Sequence, residues 1–186
     1  NTSLEGASNI PYDFANRQVS YAMVNPPVPV GFWRSVGSSQ NAYVTECFFD
    51  ELAALAGRDP LVARLQLLEN HPRHVGVLQL AAEKADWGKP PPAGRARGIA
   101  VAEAFASWAA QVAEVSIERG RVRVHRITCA IDCGMIVNPD TIHAQMESAI
   151  VYGLTACLKG AITIAGGKVE QDNFDNYPLL RIDECP

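Results

Sequence analysis

From Ser39 to Ala56, the apolar residues Val44, Cys47, Phe48, Leu52 and Leu55 recur every three or four positions. That spacing predicts a helix with one buried stripe. The acids Glu46, Asp50 and Glu51 fall mostly off it. Ser38 or Ser39 can cap this helix, and Gly57 can stop it. A second helix is signalled by "RDPLVARLQLLEN", where Asp59 caps and Pro60 takes the first turn. A third is expected from about Pro72 to Ala85, ended near Gly88. The period then changes. "SWAAQVAEVSIERGRVRVHRITCAIDCG" predicts a hairpin with strands at about 108–118 and 121–132 and Arg119-Gly120 at the turn. "NPDTIHAQMESAIVYGLTACLKG" predicts a long helix capped by Asn138, begun by Pro139 and ended by Gly160. Its apolar face runs through Ile142, Met146, Ala149, Ile150, Leu154 and Leu158. "AITIAGGKVEQ" suggests a short strand pair around Gly166-Gly167.

The expected fold class is α+β, with helices packed on a small mixed sheet. Residues 1–30 form an extended lead-in, since "NPPVPVG" forbids helix. Residues 31–88 make a helical part, 89–98 a linker ("GKPPPAGRARG"), and 99–186 a strand-hairpin-helix-strand part.

Composition narrows the function classes. The 186 residues are 48% apolar and 19% charged, with a formal net charge of −4. That balance argues against a nucleic-acid surface or a polybasic membrane patch. No apolar run reaches the roughly 18–20 residues that span a bilayer. The chain opens without Met, has neither a basic start nor an apolar leader, and ends at "RIDECP". It reads as a piece of something longer, and no compartment is assigned. Five cysteines at irregular spacing are not a disulfide framework, and no C-x2-C pair suggests a metal. They are expected to be buried small hydrophobes. His71 and His74 stand three apart without an evident third ligand and read as a solvated helix terminus. His125 is expected at the surface of a strand and His143 off the helix's apolar face. No metal ligand is assigned.

No G-x-S-x-G, dinucleotide fingerprint or P-loop is present. Two features carry candidate chemistry. In "GFWRSVGSSQ", Arg34 follows two aromatics. Its planar donor fork suits an oxyanion or carbonyl, and the aromatics can exclude water. An exposed loop arginine stacked on Trp33 explains the same residues. Gln145 lies at the edge of the long helix's apolar face. Its amide can meet a buried polar ligand, or can bond only to backbone.

Together these stretches resemble the large, molybdenum-cofactor-binding subunit of the xanthine dehydrogenase and aldehyde oxidase family. "FWRSVGSSQNAYVTECFFDELAALAGRDPLVARLQLL" is similar to that family's aromatic-Arg-Gly segment and helix pair. "AAQVAEVSIERGRVRVHRITCAIDCGMIVNPDTIHAQMESAIVYGLTACL" carries its Asp-x-Gly, Asn-Pro and Gln landmarks, and "DNFDNYPLLRIDECP" resembles the segment that follows. Within the family the chain looks like a C-terminal-region piece of the isoquinoline 1-oxidoreductase beta-subunit type. The resemblance implies hydroxylation of N-heteroaromatics, or oxidation of aldehydes, with water as oxygen source. It implies a molybdopterin dinucleotide cofactor and electron exit through a [2Fe-2S] small subunit. By position it makes Arg34 the catalytic candidate, Gln145 a pterin contact, and Trp33 and Val36 substrate-pocket walls.

The departures also carry expectations. Ser35 stands where the family usually has glycine. Val36 stands where purine-oxidising members have an aromatic. No residue here matches the family's catalytic glutamate, so the chain alone is expected to bind no cofactor tightly and to be inactive without the rest of its own subunit. Exposed apolar area should mark the face toward that remainder. The rival reading is a non-catalytic scaffold or subunit-docking module; a weaker third is a free-standing binder of anionic ligands through Arg34.

Overall fold

A computed structural model describes residues 4–186; the first three residues of the expected lead-in lie outside the described residues. Among the described residues, four α-helices and five strands follow in the order α1 (Gly37–Leu55), α2 (Pro60–Leu67), α3 (Pro72–Lys84), β1 (Arg95–Ala104), β2 (Ser107–Glu118), β3 (Arg121–Asp132), α4 (Pro139–Leu158), β4 (Ile164–Ala165) and β5 (Lys168–Val169). The class is α+β. The three long strands form one sheet in the order β1-β2-β3, and β4-β5 pair separately. The sheet is antiparallel, not mixed, because two-residue turns join consecutive strands.

The chain divides into two compact units. One comprises the chain up to Pro90 with Arg97–Val112 and Thr128–Gly134. The other comprises Pro91–Ala96, Ala113–Ile127 and Met135–Pro186. β1 therefore begins inside the stretch read from sequence as a linker.

Local signals explain most boundaries. Asp59 caps α2 by accepting from the N–H groups of Leu61 (2.9 Å) and Val62 (3.0 Å). Asn138 accepts from Thr141 N–H at 3.2 Å to cap α4. Beyond α1, Gly57 has φ +63°. The N–H of Gly57 bonds to Ala54 O and that of Arg58 to Ala53 O, closing the helix in a Schellman motif. Asp86, at φ +53°, makes the same closure after α3, two residues before the expected stop at Gly88. Arg119-Gly120 and Gly166-Gly167 turn with positive φ at both positions.

In the first unit, Leu68, Leu78, Ala81 and Ala110 are fully buried, and Phe49, Ala53, Val77, Ile99 and Val112 pack with them. The buried side of α1 is not the expected stripe. Val44, Phe48, Leu52 and Leu55 are exposed, Leu55 by 85%, and Cys47 is exposed too. Glu46, Phe49 and Ala53 face inward instead. The reason lies on α2. Arg64 is completely buried; its Nε donates to Glu46 Oε2 at 3.0 Å and its Nη1 to Asp50 Oδ1 at 2.6 Å. Tyr12 donates to Glu46 Oε1 at 2.6 Å, and the Val101 N–H of β1 donates to Oε2 at 2.9 Å. The guanidinium also lies 4.6 Å from the Phe49 ring centroid. Burial, reinforced by the Glu46 charge, holds the Tyr12 hydroxyl protonated far above its ordinary range.

Two further expectations change. No cysteine is buried: Cys47 and Cys157 are exposed, and Cys129, Cys133 and Cys185 are half-buried and free. His74 is 3% exposed, not solvated. Its Nε2 has no hydrogen-bond partner and lies 3.6 Å from Glu103 Oε2. Its ring meets those of His71 and Trp108 edge-on. The preceding residue, Arg73, lies 3.5 Å over Trp108 and grips Asp132 with two bonds of 2.6 and 2.5 Å. Asp132 also accepts from Gly134 N–H at 3.0 Å, which gives the Asp-x-Gly landmark a structural role.

In the second unit Thr155 is buried on α4 and accepts from Leu180 N–H at 3.2 Å. Lys159 pairs with Glu184, so the closing segment is tied to α4 at two points.

Two outcomes test this packing. Arg64→Met leaves Glu46 buried and unpaired and is expected to lower stability by about 3–5 kcal/mol. Adding Glu46→Leu should recover a large part of that loss in urea titrations. Burial, and then the neighbouring His71, push the His74 pKa down from 6.5 to about 4. The unfolded chain therefore binds the extra proton first, and stability falls as pH drops from about 6.5 towards 4. In His74→Phe that part of the pH–stability profile should flatten.

Candidate functional site

The stretch from Gly31 to Gln40 leads into α1 through a strained turn. Ser35 has φ +64° and Val36 has φ +52° with ψ −130°. Consecutive left-handed residues with side chains are uncommon, and a β-branched valine there is an outlier worth about 1–3 kcal/mol. The turn persists because its polar groups are used. Val36 N–H bonds to Trp33 O at 3.0 Å and Ser38 N–H to Ser35 O at 3.1 Å. Ser35 Oγ and Ser39 Oγ lie 2.7 and 2.8 Å from Arg34 O and against each other, so their two protons serve one bond to the carbonyl and one between the hydroxyls, or two bonds to the carbonyl.

This corrects the expected cap. Val36 occupies the N-cap position without a side-chain bond, and Ser39 holds the Arg34 carbonyl instead. Ser35 takes up a left-handed backbone that glycine adopts freely.

The turn leaves Trp33 61% exposed, Arg34 exposed and Val36 half-buried. Gln145 sits exposed in the first half of α4, flanked by half-buried Ile142 and Met146. Trp33, Arg34 and Val36 belong to the first unit and Gln145 to the second. Among the described residues no three His, Cys, Asp or Glu side chains converge to hold a metal.

A molybdopterin cofactor-binding domain family matches residues 51–186. The chain belongs to that family. It is 31% identical over 182 residues to the beta subunit of the isoquinoline 1-oxidoreductase of Brevundimonas diminuta, a match that covers 95% of this chain and 23% of that protein. It is 31% identical over 195 residues to a nicotinate dehydrogenase subunit of Pseudomonas putida, with 95% and 16% covered. It is 32% identical over 177 residues to the membrane-bound aldehyde dehydrogenase [pyrroloquinoline-quinone] of Gluconacetobacter polyoxogenes, with 84% and 23% covered. The chain thus spans a quarter or less of these relatives. No helix among the described residues is long and apolar enough to cross a membrane.

The donor chemistry suits a pterin cofactor. A guanidinium fork fits oxyanions, and a side-chain amide matches the paired donors and acceptors of a pterin edge. The enclosure is a different matter. A 20 Å³ cavity beside Tyr12, Ser38 and Glu46 holds about one water. A 430 Å³ open groove is lined by Leu61, Trp87 and Lys89. Neither includes Trp33, Arg34, Val36 or Gln145.

The strain and the serine grip make opposite predictions for neighbouring positions. Val36→Gly removes an unfavourable backbone conformation and should raise stability by about 1 kcal/mol. Ser35→Ala keeps the strain but loses the hydroxyl bonds, and should lower stability by about 1 kcal/mol. Chemical denaturation of the two variants checks both signs.

Proposed function

We propose that this chain is part of the molybdopterin-binding catalytic subunit of an oxidoreductase that hydroxylates N-heteroaromatics or oxidises aldehydes with water as oxygen source. The observation that carries the reading is the family match across 51–186, together with relatives named for isoquinoline, nicotinate and aldehyde oxidation. The cofactor in its dinucleotide form supplies the redox chemistry when bound. This chain's own residues position and stabilise. Arg34 places a fixed cation against charge developing on the substrate. Trp33 and Val36 form the wall that excludes water from it. Gln145 offers its amide to the pterin. Strained backbone at the Arg34 turn supports the assignment, because such strain clusters at functional sites.

The acid–base glutamate implied by the resemblance has no match here. It belongs to the remainder of the same subunit, and a [2Fe-2S] small subunit takes the electrons. On this reading the 186-residue chain alone carries no stoichiometric molybdenum and reduces no dye. A second cofactor reading comes from the Gluconacetobacter relative, whose name carries pyrroloquinoline quinone.

Expression of the complete gene with its small subunit separates the readings. Molybdenum analysis near one atom per subunit, with dye reduction by aldehydes or N-heteroaromatics, supports the proposal; quinone without molybdenum supports the second reading. A purified assembly with neither cofactor nor turnover points to the scaffold. In the active enzyme Arg34→Ala should lower kcat/KM by roughly 10²–10³-fold, as loss of a preorganised charge does, with Arg34→Lys intermediate. Gln145→Ala should lower molybdenum content.

A further inference from the structure

Residues 4–14 are anchored to the first unit. Tyr12 is buried and stacks 4.4 Å from Phe49, and Asp13 N–H bonds to Leu67 O at 2.9 Å. Beyond Phe14 that changes. Among the described residues, positions 15–32 form no helix or strand, and their backbone bonds to no other backbone group. Every residue from Asp13 to Arg34 is exposed.

This arm is not built for water. From Gln18 to Trp33 it contains no charged residue. Two runs of its large apolar residues alternate, Val19, Tyr21 and Met23, then Val28, Val30 and Phe32, each followed directly by a further apolar residue, Val24 or Trp33. Met23 is 73% exposed, Val30 81% and Phe32 85%. Alternation at period two is the pattern of a strand with one apolar face. Pro26, Pro27 and Pro29 remove ladder donors from the second run. The first run, 18–24, has no proline and keeps every N–H. Paired as a strand, an uncharged, proline-free segment of this kind would form the type of edge that folded proteins cover.

We propose that residues 18–24 pair as a β-strand with a sheet edge supplied by the remainder of the same subunit. The inference rests on the reading that this chain is part of a longer subunit. Two considerations choose this occupant over a second copy of the chain. The relatives are more than four times as long as the part this chain covers, so a large remainder is available to supply the edge. A tethered edge also acts at a high effective concentration whatever the dilution, whereas pairing between copies does not.

Amide hydrogen exchange on the intact subunit, and on the 186-residue chain at two concentrations, tests the proposal. Amides on one edge of 18–24 are expected to exchange at least 100-fold more slowly in the intact subunit. In the 186-residue chain they should exchange freely at both concentrations. Because successive N–H groups point to opposite edges, Tyr21→Pro and Ala22→Pro should differ, with one abolishing the protection of its neighbours and the other sparing it. Fast exchange in an intact subunit that holds cofactor and turns over overturns the pairing and leaves the functional reading standing. Protection that grows with concentration in the 186-residue chain overturns it in favour of a second copy. Slow exchange in an intact subunit without cofactor upholds the pairing and removes the functional reading.

Discussion

The buried Glu46–Arg64 pair is the constraint on which the first unit depends. A guanidinium with no solvent access is tolerable only when its charge is neutralised and its donors are satisfied. Glu46 and Asp50 supply the counter-charge, and the carbonyls of Glu46 and Pro60 accept the remaining bonds. The same carboxylate accepts from Tyr12 and from the Val101 N–H. One ion pair thereby fixes the lead-in, α1, α2 and β1 against each other. It also sets the rotation of α1: Glu46 must face inward, and the helix's larger apolar residues are turned outward.

That rotation has a functional side. α1 begins at the strained Ser35-Val36 turn, so its placement also fixes where the Trp33-Arg34 corner leaves the core. The outward Val44, Phe48 and Leu52, and the uncharged arm before Trp33, give the first unit large apolar surfaces in water. Both features are consistent with the proposal that the chain works inside a larger subunit.

How much of this was legible in the sequence depends on the kind of signal. Asp59-Pro60, Asn138-Pro139, Gly57, Arg119-Gly120 and Gly166-Gly167 each act within a few residues, and the elements they bound appear where expected. β1 was the missed element. Its turn into β2 uses Phe105 and Ala106, at φ +50° and +56°, with none of the Asn or Gly that normally announces such a turn. For the candidate site, Trp33-Arg34-Ser35-Val36 was singled out from the sequence by resemblance, and its role belongs to the proposal. The hold of Ser35 and Ser39 on the Arg34 carbonyl was not legible, because it depends on torsion angles at two residues that ordinarily avoid them.

The sequence by itself determined the helices, the hairpin, the α+β class and the family resemblance, because caps, turns and periodicity are short-range properties. Only the tertiary structure decided which face of α1 is buried, that His74 is enclosed and that the cysteines are not. Apolar spacing shows that a helix has a stripe; it does not show whether that stripe or an ion pair claims the core. Here the cost of leaving a buried arginine without its carboxylate outweighs the gain from burying a few more aliphatic side chains. That comparison involves Arg64, eighteen residues away on another helix.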